Sequence, residues 1–519
     1  MADLRLRAPA ALLALLVAAP QAQAQWRFTP QISVTETYSD NPGLQQREFA
    51  RGQWITAINP GFDVGYVGPR LTLSGTYQFN YYYYSGDDAG TRHNGQQYQG
   101  SAKAIVINDL LFVDASAGRS PRSVSAFGPQ LNDNPYALAN SREVSTWSVS
   151  PYLRRRFGPT ADFTARYTVD SVDAGVGALG SSDSNALDVR LDSGSIFNTL
   201  GWGLSYRRQQ IDAENAGTSD SQNALANLSL RVSRTLALTA TGGYDKYEYE
   251  DIGGGPTQGS NWSAGFDWTP SSRTRLELAG GRHFFGNTWN MSASHRSRRS
   301  VWSARYNDGI VNSRDQFLRP DTTDITALVD AMFRSQIRNP IRRADAVAAY
   351  IQDNGLARGL GENAAYFANR FLRQKSFNAG VVFSGPRAKL SLSADDSRRT
   401  VLSVGASPLL NLPTLPGVPG STRPDDNVHQ TTIGAIMNYQ LTGRSAAQAG
   451  LSFGRSSSLT ADIVDYNQAL RLSFTRQLTQ TVSSMVEVRH VRGSSDVVGG
   501  RSYHENAITA ALIMKFKAR

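Results

Sequence analysis

The sequence predicts an all-β protein, a transmembrane antiparallel β-barrel of about 22 strands (roughly 18 to 24) with a small helical insert in one long loop. Three observations predict it. The chain opens on an export signal, arms of alternating apolar and polar residues recur from Phe28 to the C-terminal end, and short turns alternate with longer polar loops.

The first element is MADLRLRAPAALLALLVAAPQAQAQ, where Arg5 and Arg7 precede an apolar run from Ala8 to Ala19 and then Ala22-Gln23-Ala24. A basic start, a short apolar middle and an A-x-A end make a secretory signal peptide, residues 1–24, cleaved after Ala24. The run is too short to span a bilayer as a helix, and no later segment has about 18 consecutive apolar residues. The mature chain contains no cysteine, so neither a disulfide nor a thiolate metal site contributes to its fold.

The arms come next, in a first stretch (residues 25–308) and a second (residues 375–519) of one barrel. In LRLSFTRQLTQTVSSMVEVRHV, residues 470–491, Leu470, Leu472 and Phe474 share one side of a strand while Arg471, Ser473 and Thr475 take the other; Val482, Val486 and Val488 then alternate with Glu487 and Arg489. Strand side chains alternate faces, so each arm has an apolar and a polar face. A single hairpin of this kind fits a soluble sandwich, but a cadence without composition breaks fits a barrel whose strands cross a membrane.

Gly68-Pro69, Gly158-Pro159, Gly385-Pro386 and Thr442-Gly443 mark tight turns. Between them lie longer connections: SDNPGLQQREFARG, SGDDAGTRHNG, the stretch around Ser120 to Arg142, and VGASPLLNLPTLPGVPGSTRPDD. Short periplasmic turns and long outer loops alternate in bacterial barrels, and an even strand count puts both termini on the periplasmic side. Trp54, Trp147, Trp202, Trp268, Trp302 and the run Tyr81 to Tyr84 gather near arm ends, as rings at the membrane–water boundary do. The last arm, NAITAALIMKF, sets Ile508, Ala510, Leu512, Met514 and Phe516 on one face.

One segment, residues 309–374, breaks the cadence and reads as helix. Leu328, Met332 and Phe333 follow a Thr323-Asp324 cap at helical spacing; Pro340 opens a second helix with Val347 and Ile351 on one face; a third carries Phe367 and Phe371. Strand parity puts this insert on the outer side as a cap or a lumen plug, or as a loop with no gating role, and barrels of about 22 strands are wide enough to need a plug.

On this reading the apolar face of each arm meets lipid and the charged face lines the lumen, because lipid-facing charge costs about 2–4 kcal/mol near the midplane. Of 53 basic residues six are lysine and 47 arginine, against 43 acidic ones. Alternation places Arg154, Arg156, Arg166, Arg190, Arg207, Arg231, Arg275, Arg305, Arg471 and Arg489 inward. Arginine's planar fork pairs bidentately with carboxylates and phosphates, so these side chains suit an acidic glycan. Asp162, Asp188, Asp192, Glu277 and Glu487 share that face, so cross-strand ion pairs that stiffen the wall explain the same residues. The basic balance also suits contact with lipopolysaccharide, and nucleic acid is excluded as a partner by export.

Enzyme signatures occur only by chance. Ser452 in GLSFG sits in mid-strand with no helix following, and GVGALG, residues 175–180, leads into no helix that would receive a pyrophosphate. The histidines, His283 and His295 among them, lack ligand spacing, and the acidic YDKYEYED, residues 244–251, reads as a solvated loop before it reads as a cation site. The sequence therefore predicts no catalytic residue, metal or cofactor.

The start WRFTPQISVTETYSDNPGL, WITAINPGFDVGY, the hairpin WNMSASHRSRRSVWSARYND and the insert's NPIRRADAVAAYIQDNGL resemble the PEP-CTERM system-associated outer membrane β-barrel family over nearly the whole mature chain. The Lys517-Ala518-Arg519 tail after Phe516 departs from barrels that close on an aromatic residue. The resemblance implies a Gram-negative outer-membrane protein beside exosortase and exopolysaccharide systems, with periplasmic export components as partners and no catalytic residues. Two function classes stay open: a porin-like conduit for a glycan or other polar solute, and a structural or docking barrel with a filled lumen. An outer-membrane lipid or glycan hydrolase trails them, since no nucleophile–base set is visible.

Overall fold

A computed structural model of the protein describes residues 25–516 apart from 87–90, 124, 131–133, 137–139, 176–179, 215–216, 250–255, 313, 319–369, 404–426 and 496–501. Twenty-two strands follow one another: β1 (Gln25–Ser39), β2 (Gln53–Val67), β3 (Leu71–Tyr84), β4 (Asn94–Ile107), β5 (Leu111–Ser123), β6 (Ser141–Phe157), β7 (Ala161–Asp173), β8 (Ser181–Ser193), β9 (Leu200–Ala213), β10 (Gly217–Arg231) and β11 (Leu236–Glu248) in the first half. The second half holds β12 (Gln258–Ser271), β13 (Thr274–His283), β14 (Gly286–Arg296), β15 (Ser300–Asn312), β16 (Phe371–Ser384), β17 (Ala388–Val401), β18 (Val428–Thr442), β19 (Ser445–Ser458), β20 (Val464–Gln477), β21 (Val482–Ser495) and β22 (Tyr503–Lys515). Each pairs antiparallel with its sequence neighbours. The sheet closes where β22 lies along β1, with Gln31 opposite Lys515 and Ser39 opposite Ala507. Closure is what permits a sheet in hydrocarbon, because no strand edge is left with unpaired N–H and C=O groups.

The turns with Gly68-Pro69, Gly158-Pro159, Gly385-Pro386 and Thr442-Gly443 all lie at the end that holds both termini, called the inner end here. Gly158 adopts φ +56° there, a conformation that a side chain disfavours. The long connections gather at the opposite, outer end.

Alternation sorts the residues as the lipid argument requires. Val34, Leu204, Leu228, Leu451, Leu472, Val488 and Leu512 are exposed on the outward face of their strands although they are large and apolar. Trp26, Phe157, Trp268 and Trp302 ring the inner end of that face, and Tyr38, Trp54, Tyr244, Trp262 and Trp289 ring the outer end. Two aromatic belts enclosing an apolar band define a membrane-spanning zone. The tyrosine run divides between faces: Tyr81 and Tyr83 are exposed outward, while Tyr84 is buried inward and bonds Arg92. A run of four rings therefore supplies two belt residues and two lumen residues, as period two dictates.

The strands run 10 to 17 residues, longer than the roughly 9–11 that a crossing needs. Their outer ends project beyond the lipid and absorb segments that the sequence reading gave to loops. Ser120–Ser123 and Arg142 are strand, as are Tyr244–Glu248 of YDKYEYED, where Lys246 pairs with Glu248. The helical insert is narrower than expected at both ends. Gly309–Asn312 belong to β15 and Phe371–Gln374 to β16, because the ladder continues from Gly309 opposite Gln374 to Asn312 opposite Phe371. Phe371 is thus a buried strand residue, stacked on Tyr249 with centroids 5.1 Å apart, not part of a plug helix. Among the described residues the insert contributes one helical turn, α1 (Asp315–Leu318); Leu328, Met332, Phe333, Val347, Ile351 and Phe367 lie outside them.

Candidate functional site: the lumen wall and the loops folded into its mouth

All ten arginines expected to face inward fall on the lumen side of their strands, by the same alternation that turns Trp147, Leu187, Leu204, Leu228, Trp268, Trp302, Leu470 and Val488 to lipid. Cross-strand register then decides which of them meet an acid. Arg156 stands opposite Asp162 and bonds it at 2.9 Å. One step up the barrel, Arg166 reaches Asp114 at 3.0 Å from under the Tyr152 ring, while Asp188, directly opposite both Arg166 and Arg207, approaches the latter at 4.0 Å. Arg275 grips Asp267 bidentately and also touches Glu277. Such exposed pairs contribute about 0–1 kcal/mol each, so they order the wall more than they stabilise it.

Four arginines differ. Arg154 and Arg190 flank Thr164 in register, and neither they nor Arg231 and Arg305 make an ion pair among the described residues. Arg154, Arg156, Arg190 and Arg231 lie within a few residues of the inner turns, so the inner mouth carries a basic collar against Asp162 and Asp192. Arg471 and Arg489 face each other on β20 and β21.

Arg489 belongs to a second arrangement, near the outer end. It donates through Nε (3.2 Å) and an Nη (2.9 Å) to the two oxygens of Glu505, whose side chain is 0% exposed. Glu505 also accepts from the Ser39 hydroxyl at 2.6 Å and the Asn134 amide at 2.9 Å. The carboxylate is thus saturated, the condition under which a buried charge persists.

Asn134 comes from the β5–β6 connection, whose described residues turn into the lumen instead of outward. Its Tyr136 shares a hydrogen bond with Thr37 on β1 (3.0 Å), meets Tyr82 of β3 edge-on at 5.5 Å and lies 5.9 Å from the Arg489 guanidinium. Burial pushes the Tyr136 phenol above its ordinary pKa. Earlier in the loop the Gly128 N–H donates to Asp465 on β20 (2.6 Å), and Ala126 and Phe127 pack with Val428 and Ile463. The loop therefore runs from β5 and β6 to β18–β22, across the mouth.

Two further segments turn inward. In the β1–β2 connection Leu44 adopts φ +49° and packs against Ala469, Val491 and Tyr503. A left-handed leucine costs about 1–3 kcal/mol, and burying its side chain offsets about 1.5–3 kcal/mol of that. At the start of the insert Arg314, fully buried, pairs with Asp170 of β7 and donates to Ser182 of β8 (2.7 Å), and Phe317 packs on Val144, Val172 and Ala174. Arg314 is only two positions past Asn312, the end of β15, so the β6–β9 and β15 walls approach each other at the outer mouth.

The sequence missed these inward loops. The one local signal was composition: Phe127 and Tyr136 in the β5–β6 connection and Leu44 in the β1–β2 connection are large apolar residues in segments with no strand alternation. It also missed outward-facing charge. Glu36 bonds Thr56 between the outer tyrosines, and Arg208, Lys246, Lys375, Arg398 and Arg455 point outward beyond the apolar band. None lies at the midplane, where the cost would apply. Ser452 lies within β19 and residues 175–180 lead into β8, so neither motif has the turn-to-helix geometry its chemistry needs. His283 bonds Asp245 and stacks on Phe285, and His295 bonds Thr274.

No family model matches the chain, and no curated protein matches it. Among solved structures it is similar to the FrpB iron transporter from Neisseria meningitidis (F5-1 variant), at 10% identity over 94% of this chain and 82% of that chain, with a TM-score of 0.50. The apoprotein form of the same transporter gives 9% identity, 94% and 81% coverage and a TM-score of 0.50. OpdK from Pseudomonas aeruginosa with vanillate is covered to 99%, at 9% identity and a TM-score of 0.35. At such identities likeness extends to fold alone: the chain is a closed 22-strand antiparallel β-barrel of the outer-membrane type.

Proposed function

We propose that the barrel is a porin-like conduit for an anionic polar solute, held closed at its outer mouth by its own loops. The observation that carries this reading is the arginine collar at the inner mouth, where Arg154 and Arg190 flank Thr164 without an acid partner among the described residues. A low-dielectric wall focuses such a field and concentrates anions at the entrance. Guanidinium forks suit carboxylates and phosphates, and a ladder of them lets an acidic polymer exchange one site for the next. The resemblance of the N-terminal strands and the Trp289–Asp308 hairpin to PEP-CTERM system-associated barrels supports placing the solute among acidic exopolysaccharides, handed over by periplasmic export components.

Ion selectivity in planar bilayers tests the reading. Once the loops are opened as described below, the protein should prefer anions, acidic oligosaccharides added on the inner side should block the current, and Arg154→Glu with Arg190→Glu should shift the preference toward cations. Unchanged selectivity in that variant removes the collar from the argument. The saturated Glu505 cluster and the fully buried Arg314 favour a second reading, a docking barrel with a permanently filled mouth; silence under every loop variant would decide for it.

A further inference from the structure

The outward face of β16–β19 carries cations where a barrel wall gains nothing from them. Lys375 stands directly opposite Arg398, and Arg455 is opposite Thr431 one step along. Each is just beyond the apolar band: Lys375 is two residues further out than Phe377, and Arg455 two further than Phe453, both exposed to lipid. Like charges opposed across a strand pair repel. The nearby described acids relieve Lys375 alone, at long range, and pair with neither arginine. Asp308 is held by two nitrogens of Arg373 (3.1 and 3.0 Å) and is 3.9 Å from Lys375, and Asp396 is taken by His429 (2.8 Å) and Thr431 (2.7 Å). Arg398 and Arg455 make no ion pair among the described residues. Arg399, next in sequence, is buried on the lumen side, so the outward placement of Arg398 is enforced by the strand period.

A comparable outward row on β9–β11 behaves differently. There Arg208 bonds Asp220 at 2.9 Å and Lys246 pairs with Glu248, so each cation brings its own anion. The β16–β19 patch leaves Arg398 and Arg455 for something else, with Lys375 held only loosely by Asp308. Its height, above outward rings and aliphatic side chains, is that of lipid headgroups.

We propose that Lys375, Arg398 and Arg455 form a binding site for the phosphates of an outer-leaflet glycolipid of the lipopolysaccharide class. The acyl chains lie on the strip below, over Phe377, Ile433 and Phe453, which are all exposed. The phosphates supply the missing counter-charge, and a guanidinium fork that donates two parallel bonds to phosphate oxygens is the strong form of such a contact. The site lies on the lipid face, so it holds whether or not the lumen conducts.

The test is retention of glycolipid by the full-length protein extracted from outer membranes in mild detergent, read by native mass spectrometry and by phosphate per barrel. Wild type should carry bound bisphosphorylated glycolipid. The variant Arg398→Gln with Arg455→Gln should carry at least fivefold less, while Arg208→Gln, from the self-paired row, should match wild type. Delipidated protein should rebind bisphosphorylated lipid A but not its dephosphorylated form, which separates phosphate recognition from acyl adhesion. Heat-modifiable mobility on gels establishes that each variant is a folded barrel. Equal retention by wild type and the double variant, equal binding of the dephosphorylated lipid, or a wild type with no glycolipid would each overturn the assignment.

Discussion

The inward loop stands or falls with Tyr136, so its truncation should open the mouth. Tyr136→Phe removes only the hydroxyl, which shares one buried hydrogen bond with Thr37. A net hydrogen bond of this kind is worth about 1 kcal/mol, roughly fivefold in the ratio of docked to undocked loop. Tyr136→Ala also removes the edge contact with Tyr82 and the ring beside Arg489. Large-to-small changes at buried aromatic sites cost about 3–5 kcal/mol, two to nearly four powers of ten in the same ratio. The loss falls on docking, because Tyr136 lies in a connection and makes no ladder hydrogen bond of the barrel. Single-channel recording reads the outcome directly: brief rare openings in wild type, more frequent ones in Tyr136→Phe, and long-lived open bursts in Tyr136→Ala, with unit conductance unchanged across the series. Identical traces in all three proteins, with heat-modifiable mobility intact, would refute the claim that this loop closes the mouth.

Other consequences follow from the same structure. Docking favours the neutral Tyr136 phenol, whose pKa is raised by burial; its contribution is fully present below the ordinary tyrosine pKa of about 10 and is lost as pH rises through the docked-state value, so openings should increase above about pH 10 in wild type but not in Tyr136→Phe. Arg314→Ala strands the buried Asp170 carboxylate and should cost about 3–5 kcal/mol in urea unfolding, whereas Arg156→Ala, from an exposed pair, should cost less than about 1 kcal/mol. Leu512→Asp puts a charge on the lipid face of β22 and should lower stability by about 2–4 kcal/mol or less, Asp being the milder case, while Thr509→Asp on the lumen face should not repeat a membrane-insertion defect. Gly493→Ala should displace Tyr503, whose ring occupies the space a Cβ would take, and weaken its bond to Asn467; loss of Leu44 packing would appear as proteolytic cleavage within residues 40–52.

Much of this molecule was legible before any coordinates. The period of two in LRLSF and VEVRHV is written in adjacent residues, and a barrel repeats one local rule 22 times, so strand number, inner turns, lipid face and lumen face follow from reading along the chain. The misjudged edges have one cause. Gly309–Asn312 and Phe371–Gln374 carry weak strand signals of their own and become strand because each is the other's partner, across a separation no local window covers.

Contacts decided the rest. The alternation in β6–β9 puts Arg156, Arg166 and Arg190 in the lumen, but only the stagger of neighbouring strands sets Arg156 against Asp162 and Arg190 against Thr164. Asn134 and Glu505 are 371 residues apart, and Gly128 and Asp465 are 337 apart. The apolar Phe127 and Tyr136 hint that the β5–β6 connection seeks cover, but nothing within it names the partners; closure of β22 on β1 brings Ser39, Thr37, Glu505 and Arg489 together at a wall where Asn134 and Tyr136 find them. Which face a side chain takes is fixed by its own backbone, one residue after another; what it meets there is fixed by closure of the ring, a property of the whole chain.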